Sequence, residues 1–267
     1  MRPHTSAQLH LCRERFTGKI DHNIRRVIYE DKAQAYVVSK LKLHLARKLV
    51  NWHALATFHK SLTWQRRATR VKFIFRWAPT NARNFLTKQA TTPLCPLYND
   101  AVETIQHMLH CPCVSAKNAR GTALDALGAD LDDCGLHPDI VSLLLLAVET
   151  DKEPPVDVGR ESSVDVTGIL DTQSKIRWGL VKYGFLSTMW KVTQNEWVLQ
   201  RDPHYSSNKT KRWAKRVQVA LWKYVSDVWG HRNNAVHGKT KEEINQKRLL
   251  RIRQQVTLIL QAPPELG

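Results

Sequence analysis

The sequence predicts an all-α fold: a helical bundle with a small irregular Cys/His knuckle inserted between its helices. Three observations carry that expectation. Apolar residues recur at spacings of three and four along most of the chain, and period-two alternation is scarce. Capping and breaking residues bracket the periodic runs. The 267 residues are 42% hydrophobic and include nine tryptophans, enough for a sizeable core. That composition excludes a disordered basic tail, and the 11 glycines and 11 prolines without period exclude fibrous classes.

The elements follow in order. From Val38, the residues Leu41, Leu45, Leu49, Trp52, Leu55 and Leu62 form one helical stripe, with Lys40, Arg47, Lys48 and Lys60 largely off it. A second helix spans Arg66 to Trp77 and stops at Pro79-Thr80, where Thr80 caps a short helix through Lys88. Residues 91–101 read as a loop, with Pro93 and Pro96 bracketing Cys95. Helices are expected from about Val102 to His110 and from about Val114 to Leu127. Pro138 suits the first turn of a helix through about Thr150. Residues 151–171, with Pro154-Pro155, Gly159 and Ser162-Ser163, read as a linker. A long helix from about Thr172 to Leu199 places Ile176, Leu180, Tyr183, Trp190 and Trp197 on one side. After a turn at Asp202-Pro203, a helix from about Lys209 to Val236 buries Trp213, Val217, Leu221, Tyr224 and Val228, and Gly238 ends it. The last helix, Lys241 to Leu260, turns Leu249, Ile252, Val256 and Ile259 inward.

Charge divides the chain. Residues 1–90 carry a net +15, residues 91–171 a net −10, and residues 172–267 a net +12, for +17 overall. The expected organisation follows: a basic helical segment over 1–90, knuckle and acidic helices over 91–150, the linker over 151–171, and a basic Trp-rich segment over 172–267. Concentrated positive charge releases counterions on meeting phosphate, so RNA or DNA is the expected partner. The phosphate-contact candidates are Arg66, Arg67 and Arg70, then Lys211, Arg212, Lys215 and Arg216, then Lys247, Arg248 and Arg251. Trp64 and Trp77 stand beside the first group as candidates for base stacking, whereas Trp52, Trp178, Trp190, Trp197, Trp213 and Trp222 fit helical core positions. No basic amphipathic anchor with a lipidation signal appears, and the longest apolar run, Ile140 to Val148, broken only by Ser142, is too short to span a bilayer. With no secretory signal at the start, the reading is an intracellular protein, nuclear or cytoplasmic, with self-association left open.

The sharpest cluster is Cys95-Pro96-Leu97-Tyr98, then Glu103-Thr104-Ile105-Gln106-His107-Met108-Leu109-His110-Cys111-Pro112-Cys113. Zinc takes four tetrahedral ligands, commonly a Cys-x2-Cys turn plus a His/Cys pair on a helix. Cys95 supplies half of the turn, and His107 and Cys111 lie one helical turn apart. Tyr98 stands where the second turn cysteine belongs, leaving Cys113 or His110 to complete the set.

These residues resemble the zinc-knuckle region that follows the polymerase in eukaryotic non-LTR retrotransposon reverse-transcriptase polyproteins. There a Cys-x2-Cys pair precedes Glu-Thr-x-x-His and a Cys-Pro. The lead-in Phe75-Arg76-Trp77-Ala78-Pro79-Thr80 is similar to that region as well. So are Gln173-Ser174-Lys175-Ile176-Arg177-Trp178 with Gly184, Ser187, Trp190 and Gln194, and Leu221-Trp222 followed by Val228-Trp229-Gly230-His231-Arg232-Asn233 and His237-Gly238. The likeness covers roughly residues 50–260 and implies a non-catalytic segment downstream of the enzyme, in a degenerate copy that departs from the pattern at Tyr98. Nothing matches the paired aspartates on a hairpin that a reverse transcriptase needs for two-metal chemistry, and no phosphate-binding Gly-rich loop and no Gly-x-Ser-x-Gly elbow are present.

Two alternatives stand beside that reading. Arg232-Asn233-Asn234-Ala235-Val236-His237 is similar to the Arg-Asn-x3-His motif of HEPN ribonucleases, where arginine holds the scissile phosphate and histidine moves protons without metal. The other is a helical scaffold that binds no nucleic acid.

Overall fold

The computed structural model describes residues 10–11, 14–15, 31–154, 165–202 and 207–261. Side chains at 10, 11, 14, 15, 31, 33, 34, 207–212, 251, 255, 258, 259 and 261 lie outside that description. The chain divides into two compact units, residues 1–48 and 49–267. In the first, two-residue strands β1 (His10–Leu11) and β2 (Glu14–Arg15) pair antiparallel, and α1 runs Asp31–Lys40. The second is helical: α2 (Trp52–Ser61), α3 (Trp64–Ile74), α4 (Asn81–Leu86), α5 (Ile105–His110), α6 (Val114–Asp132), α7 (Pro138–Thr150), α8 (Thr167–Ile176), a 3-10 helix (Trp178–Tyr183), α9 (Thr188–Arg201), α10 (Ser207–His237) and α11 (Lys241–Gln261). The all-α class holds.

The 31-residue α10 organises the second unit. At 1.5 Å per residue it is about 46 Å long. Its Trp213, Val217, Ala220, Leu221, Tyr224, Val225 and Val228 are buried at helical spacing, against α6, α2, α5, α9 and the 3-10 helix. Each fully buried Leu or Val contributes about 1.5–3 kcal/mol, so this face dominates the packing. Helices of the 172–267 segment therefore share one core with those of 91–150 and of 49–90. The division after residue 48 lies inside the segment expected over 1–90.

Three expectations are corrected. The stripe from Val38 to Leu62 is not one helix: α1 ends at Lys40, Lys42 takes φ +54, and Leu45 is wholly exposed. Asn51 starts α2 separately, its side chain accepting from the Ala54 N–H at 3.1 Å.

The second correction concerns the helix expected over Thr172–Leu199, which is broken twice. Arg177 takes φ +90 and Gly184 φ +83. The break is held by Gln173, a buried amide that uses its full bonding capacity. Its oxygen accepts from the Ser187 N–H (3.0 Å) and Trp190 Nε1–H (2.9 Å), while its Nε2 donates to the carbonyls of Phe185 (3.1 Å) and Arg177 (3.3 Å). A side chain thus satisfies backbone groups that a continuous helix would have paired internally. The expected linker over 151–171 also shortens, because α8 begins at Thr167; residues 155–164 lie outside the described residues.

Third, Leu249, Ile252 and Val256 of α11 do not face inward but are exposed. Elsewhere the expected helices are present with shifted ends: α3 stops at Ile74 before Trp77, α5 starts at Ile105 after the bridge at Val102, and α6 runs past Leu127 to Asp132. Thr80 precedes α4 without a side-chain cap bond. Pro138 opens α7 at its first turn, and Gly238, at φ +96, follows α10. Among the described residues, no helix is long and apolar enough to cross a membrane.

Candidate metal centre and basic surfaces

The knuckle is built on a short antiparallel contact. Leu94 bridges Val102, the Glu103 N–H donates to the Pro93 carbonyl (2.8 Å), and the Cys95 N–H donates to the Ala101 carbonyl (2.8 Å). The chain then turns back through Asn99 at φ +58, whose N–H reaches the Cys95 carbonyl at 2.8 Å. Thr104 caps α5 by accepting from the His107 N–H at 3.0 Å, which puts His107 and then Cys111, just past the helix end, beside Cys95.

One donor atom from each of Cys95, His107 and Cys111 lies within 4.8 Å of the other two. Two thiolates held about 2.3 Å from one tetrahedral zinc stand about 3.8 Å apart. The Cys95 and Cys111 sulfurs are 3.8 Å apart. His107 Nε2 is buried and has no hydrogen-bond partner among the described residues, the state of a ring nitrogen reserved for a ligand. Burial pushes the Cys95 thiol up to about 11, against the pull of the Leu97 and Tyr98 backbone N–H groups. A cation would relieve that burial cost by taking the thiolate. The three residues fit zinc.

Cys113 does not join them, a correction to the expected four-residue set. It sits at the start of α6, with its sulfur 3.4 Å from Ser115 Oγ, and that contact lowers its thiol pKa. His107 lies on α5 and Cys111 caps its end, one turn on; Cys113, beyond Pro112, caps the start of the next helix. Tyr98 faces solvent, its ring 6.3 Å from that of His107. His110 turns elsewhere, to Asp151.

Two buried ionic clusters were not legible as sites. Arg232 forms a bidentate pair with Glu103, Nε to Oε1 at 2.7 Å and a terminal guanidinium nitrogen to Oε2 at 2.6 Å. The same nitrogen donates to Asn81 Oδ1 (3.1 Å), and Asn81 Nδ2 donates to the Leu94 carbonyl (2.8 Å). The pair thereby anchors α10 to the residue before Cys95. Arg232 faces the core, packed over Trp229, so the arginine that the ribonuclease alternative would set against a phosphate is engaged by Glu103 inside the fold.

In the second cluster, Asp151 Oδ2 accepts from Lys182 Nζ, from Gln106 Nε2 (2.7 Å) and from His110 Nε2 (2.8 Å). Burial opposes the charged Asp151, but the His110 hydrogen bond and the Lys182 ammonium outweigh it and hold the carboxyl below its usual range. For Lys182, burial is the larger effect and lowers its pKa. Residues 110, 151 and 182 share no motif, and no sequence signal joins them.

The basic candidates divide. Arg66, Arg67, Arg216, Lys247 and Arg248 are exposed, and Lys215 is half-buried. Arg67 donates to the Leu62 carbonyl (2.8 Å), Arg216 to the Asp133 carbonyl (2.6 Å) and Lys247 to the Ala235 carbonyl (2.5 Å). Lys247 and Arg248 line a 340 Å³ pocket with Val236, His237 and Ile244. Arg70 is a correction: only 2% exposed, it lies over the Phe58 ring and donates to the Tyr183 carbonyl at 2.8 Å. Burial lowers its pKa to about 10, and it meets no solvent phosphate. Lys211, Arg212 and Arg251 side chains lie outside the described residues. No protein-family profile, curated protein or solved structure matches the chain, so its chemistry rests on its own residues.

Proposed function

We propose that the chain is a non-catalytic nucleic-acid-binding segment of retrotransposon reverse-transcriptase origin, contacting RNA or DNA phosphates through basic helices. One observation carries the binding. Among the described residues, no ion pair involves a cation of α3 or α11, although the chain holds a strongly acidic segment. The exposed Arg66, Arg67, Lys247 and Arg248 keep their charge for an external anion. The knuckle supports the origin. Cys95, His107 and Cys111 would hold zinc, which supplies a structural cross-link between the 95 loop and α5. The C-terminal likeness is supported as well: Gln173, Ser187 and Trp190 form one hydrogen-bonded cluster, and Arg232 pairs with the knuckle's Glu103.

Fluorescence anisotropy with labelled RNA and DNA oligonucleotides, across about 50–200 mM salt, tests the reading. Binding whose affinity falls steeply with salt, with the oligonucleotide intact on denaturing gels, is expected. Exchanging Arg248 for Gln should weaken all sequences about equally and flatten the salt slope by about one. No binding at about 50 mM salt overturns the proposal; cleavage lost in His237→Ala overturns its non-catalytic part.

A further inference from the structure

The geometry points to a single-strand stacking site on α3 and the turn that follows it, built from Trp64 and Trp77 with the cations that lie between them in sequence. This inference rests on the nucleic-acid reading above and names the form of nucleic acid preferred.

Trp178, Trp190, Trp213 and Trp222 are buried in the core, whereas Trp64 is 72% exposed and Trp77 46% exposed. Both are held on rigid supports. Trp64 opens α3 directly after its cap, Thr63, whose hydroxyl accepts from the Arg66 N–H at 3.4 Å. Arg67 then ties the start of α3 to the end of α2 through the Leu62 and Lys60 carbonyls. At the other end, the Trp77 and Ala78 N–H groups both donate to the Lys72 carbonyl, at 2.6 and 3.1 Å, after Arg76 takes φ +59. The Trp77 ring leans on Phe75, centroids 5.5 Å apart. An indole on a fixed backbone loses little freedom when a base stacks on it.

Along the chain between the two indoles stand Arg66, Arg67, Lys72 and Arg76, all exposed. From Trp64 to Ile74 the helix rises about 15 Å, the length of about four stacked nucleotides. A strand held by cations of this segment has an exposed indole near each end of it on which a base can stack. In a duplex the base faces are occupied by neighbouring bases; in a single strand they are free to stack on tryptophan. The arrangement therefore favours single strands, and with little sequence readout, because every base has a π-face.

The test measures affinity of the full chain for one single-stranded oligonucleotide and its duplex, at matched salt, for wild type, Trp64→Ala, Trp77→Ala, Trp64→Phe and Arg66→Gln. Each alanine variant should lose about 5- to 150-fold on the single strand and less than about twofold on the duplex. Trp64→Phe should recover most of the loss, and Arg66→Gln should weaken both forms alike. Thermal midpoints near wild type for Trp64→Ala, an exposed position, separate binding from folding. Wild-type binding to single strands that both alanine variants leave unchanged overturns the stacking site while the nucleic-acid reading stands. Equal losses on single strand and duplex also overturn it, by assigning the tryptophans to backbone contact or folding. A wild type that binds neither form removes both proposals together.

Discussion

Replacing Arg232 with Met should cost the fold about 3–5 kcal/mol, because it strands a carboxylate inside the core. Glu103 is fully buried and receives two guanidinium hydrogen bonds from Arg232 at 2.7 and 2.6 Å. Without them, only the Asn81 N–H remains on that carboxylate among the described residues. Against a typical stability of about 5–15 kcal/mol, the loss takes about a fifth of the total or more. Urea unfolding followed by tryptophan fluorescence measures it. Charge is the stated cause, so neutralising the partner is the control. In Arg232→Met/Glu103→Gln, the amide oxygen still accepts from Asn81 but no buried charge is left. The double variant should be more stable than Arg232→Met by at least about 1 kcal/mol. Because Asn81 also holds the Leu94 carbonyl next to Cys95, Arg232→Met should loosen the knuckle and weaken its metal affinity. A single variant within about 1 kcal/mol of wild type, or a double variant less stable than the single, would refute the reasoning.

Three other outcomes are expected. Zinc should raise the melting midpoint, by about 2.7 kcal/mol of added stability at a hundredfold excess over its dissociation constant; Cys95→Ser and Cys111→Ser should abolish the effect and Cys113→Ser retain it, in calorimetric scans with and without metal. Asp151→Asn should destabilise by about 3–5 kcal/mol at neutral pH by leaving Lys182 buried without its counter-ion. Because the folded carboxyl titrates below its usual range, its contribution is present above that range and lost as pH falls through the folded value, so wild type and variant should converge in acid unfolding. Gly184→Ala should cost about 2–3 kcal/mol in denaturant titration: φ is +83, and an added Cβ runs into the Gln218 side chain that donates to the Gly184 carbonyl.

What the sequence disclosed, it disclosed through local rules. Pro138 and Gly238 mark helix ends because their constraints act on their own backbone, and those ends were legible. The knuckle was legible because His107 and Cys111 are one turn apart. Failures came where distant partners decide. Arg70 looked like a surface cation because charge normally marks the wet side of a helix, yet the Tyr183 carbonyl, 113 residues away, draws it inward. The continuous helix through Gly184 failed because Gln173 satisfies backbone groups from the side, and a periodicity count cannot register that. The stripe through Leu45 failed because spacing alone does not show where a chain turns out of helix at Lys42. In α11 the Leu249, Ile252 and Val256 seam is a true amphipathic pattern, but periodicity says nothing of what lies opposite.

The same contacts explain why a chain with an acidic segment still presents a basic face. Glu103, Asp130 and Asp151 all belong to residues 91–171, and their partners Arg232, Lys223 and Lys182 all belong to residues 172–267. Two of those three pairs are buried, where an unmatched cation would cost several kcal/mol. Three carboxylates of the acidic segment therefore serve as counter-charges of the C-terminal arm. That segment contributes no ion-pair partner among the described residues to the cations of α3 or α11. Substituting Asp130, which pairs with Lys223 near the surface, should leave stability within about 1 kcal/mol of wild type. It should also leave oligonucleotide affinity nearly unchanged, because it frees one cation on α10 and none on the two helices assigned to phosphate. A large gain in affinity on that substitution would mean that α10 carries the nucleic-acid contact and that the assignment to α3 and α11 is wrong.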